Sequence, residues 1–157
     1  MTKLILASAS PRRLQLLKQI NITPDEVVPA DIDETPFVNE HPKEYVKRVS
    51  IEKAQAIFKK HPQAIVLAAD TTVVLGRQIL GKAESEAEAI SFLKKLSGRR
   101  HKVMSGIAVA NSTGIRAKVT TTIVKFKHLS AAEIDAYIAS GEWKDRAGAY
   151  SIQNYAA

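Results

Sequence analysis

From Lys3 onward, short apolar runs of strand character alternate with longer stretches whose apolar residues recur at helical spacing. That alternation constrains the fold more than any other feature, because each strand face requires an amphipathic helix to cover it, the signature of α/β architecture. A strand over Lys3 to Ala7 runs into a helix beginning near Pro11, with Ser10 as N-cap and Leu14, Leu16, Leu17 and Ile20 turned inward. A loop rich in Pro, Asp and Glu (Pro29 to Pro42) precedes a helix at about Pro42 to Lys60. The run Ala64-Ile65-Val66-Leu67-Ala68-Ala69 suffices for a buried strand, which Asp70 ends.

Val73–Leu75 and Gln78–Leu80 flank Gly76-Arg77 as a hairpin, and Ser85 with Glu88 forms a capping box for a helix through Leu96. Strands over Val103 to Ala110 and Ile115 to Phe126 share the turn Asn111-Ser112-Thr113-Gly114. Ser130 with Glu133 caps a last helix that ends at Gly141, and Gly148 to Gln153 reads as one short strand in an otherwise aperiodic tail. The expected fold is α/β: a single domain with a central twisted mixed sheet flanked by helices.

At 157 residues one domain is expected, burying roughly 70% of its unfolded surface. No cysteine is present, which excludes disulfides and thiolate metal sites and suits a reducing compartment. No apolar stretch is long enough for a signal peptide or a membrane span, so a soluble cytoplasmic protein without a membrane partner is expected. The net charge of +7 favours polyanions without selecting among nucleotides, nucleic acid and anionic lipid. Part of it sits in Lys59-Lys60, Lys94-Lys95 and Arg99-Arg100, near helix ends where cations suit the dipole.

Three places contradict local consistency, and such contradictions mark functional sites. Arg12 and Arg13 occupy a first helical turn, where the dipole disfavours each cation by about 0.3 to 1 kcal/mol. A phosphate would compensate them, held also by backbone N–H groups and the Ser8 and Ser10 hydroxyls; solvation or a carboxylate partner would do so equally. Lys53 falls among Val46, Val49, Ala56 and Ile57, at the centre of an apolar helical arc. It requires an anion there, a phosphate or a carboxylate, unless its stem reaches solvent. Asp70 closes the longest apolar run, at a strand end where open α/β sheets place ligands. It holds a Mg²⁺ or Mn²⁺ if Asp33 or Glu34 converges on it, or else caps a turn through Thr71 and Thr72.

The remaining patterns carry little. His41, His61, His101 and His128 share no metal-ligand spacing, and the chain has no Walker loop, Rossmann glycine pattern or nucleophile elbow. Without a helix-turn-helix signature or a set of stacking aromatics, nucleic acid is not expected as the primary partner.

The ordered set Ser8-Ala9-Ser10-Pro11-Arg12-Arg13, Asp33-Glu34-Thr35, Glu52-Lys53-Ala54, Ala69-Asp70-Thr71, Gly81-Lys82, Leu96-Ser97-Gly98 with His101, and Asp145 through Gln153 closely resembles the Maf family of nucleoside triphosphate pyrophosphatases. The resemblance spans essentially the whole chain. It implies an α/β fold with a deep nucleotide cleft and metal-dependent hydrolysis of a nucleoside triphosphate to the monophosphate and pyrophosphate, an acid-anhydride hydrolase of nucleotide-pool housekeeping, with Mg²⁺ or Mn²⁺ as cofactor. By matching position, Ser8, Arg12, Arg13, Lys53 and Lys82 would hold phosphates, Glu34 and Asp70 the metal, and Asp70 would activate water. Asp70, Lys53 and Lys82 then form the catalytic set. Arg12-Arg13, Asp70-Thr71 and Ile152-Gln153 resemble the branch acting on dTTP, UTP and modified pyrimidine nucleotides, with Thr71 and Gln153 able to read a base edge.

The sequence departs from the family at Ala83, in place of proline, and at Asn154, in place of glycine. It also ends before the strand and helix with which members usually continue, so a truncated or diverged tail is expected, with consequences for stability, dimerisation and activity. The partner expected is a small-molecule nucleoside triphosphate, with a homodimer allowed. The alternative reading is a nonenzymatic regulator of cell division (septum formation) or a nucleic-acid-binding protein.

Overall fold

The computed structural model describes residues 2–156. Met1 and Ala157, the ends of the expected single domain, lie outside the described residues. The element order is β1 (Leu4–Ala7), α1 (Pro11–Gln19), β2 (Glu26–Val27), α2 (Pro42–Phe58), β3 (Ile65–Leu75), β4 (Gln78–Leu80), α3 (Glu86–Leu96), β5 (Arg100–Asn111), β6 (Gly114–Lys125) and α4 (Ala131–Ser140), followed by a 3₁₀ turn at Asn154–Ala156. The strands form a six-stranded sheet in the order β2-β1-β3-β5-β6, with β4 paired to β3. Helical crossovers make β1 parallel to both β2 and β3, while the short β3–β4 connection makes that pair antiparallel, the expected hairpin, so the sheet is mixed.

The chain divides into two compact units: Met1–Asp70 with Ser105–Thr120, and Thr71–Met104 with Thr121–Ala157. In the first, Ile5 and Ala7 of β1, Val66 and Ala68 of β3, and Ala54 and Ile57 of α2 pack into one core. Strand side chains alternate between faces, and Val66, Ala68 and Asp70 are the buried alternate residues of β3. Asp70 therefore shares the face that carries the core. In the second unit, Leu80, Leu93, Leu96, Ile134, Trp143 and Tyr150 belong to the core, and α3 contacts α4.

Several expectations are corrected. Asp70 does not end a strand: β3 continues through Thr71 to Leu75, sustained by buried Thr72, Val73 and Val74 and by pairing with β4. What ends near Asp70 is β1, whose pairing with β3 stops at Ala7 opposite Ala68. Within continuous strand, Asp70 caps no turn. In α1, Leu14 and Leu17 are half-buried, but Leu16 and Ile20 are 59% and 63% exposed rather than inward. At about 100° per residue the latter pair sits roughly a third of a turn from the former, beyond what one packed side covers. No strand forms over Gly148 to Gln153, because Gly148 (φ 67°) and Ala149 (φ 60°) both adopt left-handed backbone; a single bridge links Ala147 to Lys82.

The starts of α3 and α4 follow their caps. The Ser130–Glu133 capping box closes reciprocally and α4 stops at left-handed Gly141. At α3 the Ser85 hydroxyl accepts from the Glu88 N–H, but the Glu88 carboxylate accepts from the Glu84 N–H instead of closing back on Ser85. β2, only a residue pair long, has no periodicity to betray it. Among the described residues no helix is long and apolar enough to cross a membrane.

Gly106 of β5 lies close against α2 in the first unit. A Cβ there would stand 2.4 Å from the Val46 carbonyl oxygen and 3.0 Å from the Ser50 Oγ, whereas a Cβ at Gly81 meets nothing within 4 Å. Gly106→Ala is expected to destabilise the fold by about 1–3 kcal/mol in urea unfolding, with Gly81→Ala near neutral. Equal stabilities for the two variants would contradict this packing.

Candidate active site

Ser8, buried at the end of β1, turns the chain toward α1. Its Oγ accepts from the Ser10 N–H and from Arg13 Nη1, both at 3.1 Å. Ser10 occupies the N-cap position with Pro11 behind it, but its hydroxyl makes no capping bond. Arg12 and Arg13 are both half-buried in the first turn of α1. Burial lowers the proton affinity of the Arg13 guanidinium, and the Asp70 and Glu34 carboxylates raise it again. The guanidinium keeps its charge at neutral pH.

Lys53 lies on the buried face of α2 beside Val46, Val49, Ala54 and Ile57, and is 8% exposed. Its ammonium contacts Asp70 Oδ1 and Glu34 Oε1, each at 2.9 Å. The anion demanded by the sequence is thus a pair of carboxylates, one from β3 and one from the acidic loop. Asp70 is equally buried, and burial pushes its carboxyl above the ordinary range while Lys53 pulls it back. Glu34 remains half exposed, with its side chain at 47%. Two carboxylates are consequently held against one ammonium, and their charge also acts on Arg13.

Two residues that the sequence did not single out deliver Glu34 to this position. The Tyr45 hydroxyl donates to the Glu34 carbonyl oxygen at 2.9 Å, and Arg48, one helical turn on, bonds to Glu40 and to the Thr35 carbonyl. Burial foremost, and the nearby Asp70 and Glu34 carboxylates next, push the Tyr45 phenol up to about 12, so it stays a donor. Arg48 also pairs with Glu52 at i, i+4, an ordinary arrangement on a helix surface.

The second unit holds the other residues singled out. Thr71 follows Asp70 on the opposite face of β3 and is exposed. The Lys82 ammonium is exposed and 3.7 Å from Asp145. Gln153 is exposed and accepts from the Ser151 hydroxyl at 2.7 Å. His101, part of the Leu96-Ser97-Gly98…His101 motif, is core: its Nε2 lies 2.5 Å from the Tyr150 hydroxyl and its ring meets Phe126 edge-on. Burial lowers the His101 pKa and lifts Tyr150 to about 12, consistent with a neutral pair. Gly98, in left-handed backbone (φ 69°), lies against the exposed His128 ring, which a Cβ there would strike at 2.5 Å.

The Glu34–Asp70 pair fits a divalent cation. Both donors are carboxylate oxygens and both already surround one positive charge, while among the described residues no three His, Cys, Asp or Glu gather into a complete cage. Mg²⁺ characteristically takes one or two carboxylates and completes its shell with water and substrate phosphates.

The match to the model of the Maf-like protein family runs over residues 3–157. The chain belongs to that family. Over 156 residues it is 54% identical to the dTTP/UTP pyrophosphatase of Zymomonas mobilis, covering 99% of this chain and 77% of that protein. The dTTP/UTP pyrophosphatase of Caulobacter vibrioides is 52% identical over 154 residues, 98% of this chain and 80% of that one. Among solved structures, the Staphylococcus aureus Ham1 protein superposes with a TM-score of 0.51 over 77% of this chain and 69% of its own, at 22% identity. That likeness bears out the α/β fold class and carries no further weight.

If Lys53 is what makes a buried Asp70 tolerable, Lys53→Met leaves an uncompensated carboxylate in the core. Thermal and urea unfolding at pH 7 are expected to show a loss of about 3–5 kcal/mol. A variant as stable as the wild type would remove Lys53 from this structural role.

Proposed function

We propose that this Maf-like protein hydrolyses nucleoside triphosphates to the monophosphate and pyrophosphate, with dTTP, UTP and modified pyrimidine nucleotides as favoured substrates, at a centre built on Glu34, Lys53 and Asp70. The substrate assignment rests on the relatives that carry the name dTTP/UTP pyrophosphatase at about half identity. The observation that carries the chemistry is the buried Lys53 ammonium shared by two carboxylates, with Arg13 and Ser8 alongside. Nothing in the relatives' names supports a nonenzymatic septum regulator or a nucleic-acid binder.

Each residue has a distinct task. Ser8, Arg12 and Arg13 meet the polyphosphate at the start of α1, where guanidinium forks and helix-start N–H groups suit phosphate oxygens. Lys53 places a third positive charge from α2. Glu34 and Asp70 would hold Mg²⁺ or Mn²⁺, which supplies charge neutralisation and Lewis acidity at the phosphates. Asp70 also orients a water and takes its proton as the water oxygen bonds to the α phosphorus. The bond from that phosphorus to the bridging oxygen breaks, and pyrophosphate leaves with the electron pair. Burial, which raises the proton affinity of Asp70, suits a general base. Positioning and electrostatics carry most of the rate. The same proposal puts the enzyme in the cytoplasm, where its substrates are, and allows a homodimer.

Purified protein with Mg²⁺ or Mn²⁺ is expected to release pyrophosphate from a panel of canonical and modified triphosphates, fastest from dTTP and UTP. Asp70→Asn, which keeps the shape and removes the base, is expected to cut that rate by about 10²–10⁴-fold with a folded circular-dichroism spectrum. Undiminished release by the variant would take Asp70 out of the mechanism, and orthophosphate as the wild-type product would refute the reaction class.

A further inference from the structure

The acidic segment 31–40 contains no helix or strand, and most of its side chains are exposed. It nevertheless presents the Glu34 carboxylate at 2.9 Å from a buried ammonium. Something other than regular structure must hold it there, since an unrestrained loop would give up considerable conformational entropy to do so.

Arg48 is the residue equipped for this. Its guanidinium makes four hydrogen bonds: Nε to Glu40 Oε1 (2.6 Å), Nη2 to Glu40 Oε2 (2.8 Å), Nη2 to the Thr35 carbonyl oxygen (3.2 Å) and Nη1 to Glu52 Oε2 (3.0 Å). The Phe37 ring lies over it, 3.9 Å from the guanidinium carbon. The Glu40 carboxylate that receives the fork also accepts the Phe37 N–H at 3.0 Å, tying the loop to itself. Thr35, whose carbonyl is gripped, is the immediate neighbour of Glu34. Tyr45, one turn earlier on α2, takes the Glu34 carbonyl, so two residues of one helix hold two successive peptide groups. These contacts hold Arg48 more firmly protonated than an ordinary arginine, the Glu40 hydrogen bonds contributing most. Glu52 anchors the same guanidinium to its own helix, leaving the fork little freedom to swing. A lysine could supply the charge but neither the fork nor the flat face over Phe37.

We propose that Arg48 is a positioning residue: by strapping the segment from Asp33 to Glu40 onto α2, it fixes where the Glu34 carboxylate stands against Lys53. Arg48 touches no reacting atom in this scheme and acts only through Glu34. The proposal rests on the functional reading above, and it has a readout of its own.

A kinetic double-mutant cycle with Glu34→Gln separates positioning from general support of the fold. Arg48→Ala alone is expected to lower the kcat of pyrophosphate release from dTTP by about 10–100-fold, the usual cost of losing a residue that orients a ligand. Arg48→Lys is expected to fall nearly as far. In the Glu34→Gln background, Arg48→Ala is expected to change kcat by less than about 3-fold, because little positioned carboxylate is left to lose. The same fold loss in both backgrounds, or no loss in either, overturns the proposal.

Hydrogen exchange of the peptide covering 33–40, measured on unliganded protein, is expected to quicken in Arg48→Ala while the amides of β3 keep wild-type protection. Unchanged exchange in that peptide also overturns it. Should Arg48→Ala fail to fold, Glu40→Gln, which weakens the fork from its other end, takes its place in both measurements. If the wild type releases pyrophosphate from no triphosphate, the functional reading falls, and the exchange measurement still decides the strap.

Discussion

A lysine ammonium cannot leave water without anions to receive it, and Lys53 has two. The first unit is arranged around that requirement. β3 alternates so that Asp70 follows Val66 and Ala68 onto the face carrying the core, and α2 places Lys53 in line with Val46, Val49 and Ile57. A charged pair is therefore built into a largely apolar interface. A pair of this kind is a weak source of net stability, since desolvating two charges offsets most of their attraction. Its retention in a core that aliphatic residues could fill is better explained by use than by stability.

The second carboxylate makes the arrangement chemically more than an ion pair. Glu34 is only half buried, so it brings the charge cluster to the surface while Asp70 and Lys53 hold its base in the protein. Arg13, hydrogen-bonded to Ser8, adds a positive charge that interacts electrostatically with both carboxylates. Opposite charges so closely interleaved suit a ligand that is itself mixed: a polyphosphate accompanied by a divalent cation. The framework behind it is tightly specified, since Gly106 admits no Cβ against the α2 backbone.

What the sequence disclosed, and what it hid, follows from where each signal resides. Lys53 and Asp70 were legible because a charge inside an apolar pattern is a local contradiction, visible without coordinates. The paired arginines were legible for the same reason, set against the sign of the helix dipole. Arg48 and Tyr45 broke no rule: an arginine with a glutamate four residues on is an ordinary exposed pair, and its decisive partners come from an aperiodic loop. The continuation of β3 past Asp70 was hidden because one carboxylate looked like a terminus, although buried Thr72 and Val74 preserve the alternation beyond it. The absent strand near the end turned on Ala149, a residue that rarely adopts positive φ and that composition gives no reason to suspect. Leu16 and Ile20 show the opposite error, apolar residues counted as core on a helix that packs along one side only.

The central claim is that water attacks the α phosphorus of a bound nucleoside triphosphate and expels pyrophosphate. Carrying out a single turnover of dTTP in ¹⁸O-enriched water, with the products weighed by mass spectrometry, tests it most directly. The account predicts one labelled oxygen in the nucleoside monophosphate and none in the pyrophosphate. Label appearing in the pyrophosphate would place the attack on the β phosphorus and contradict it.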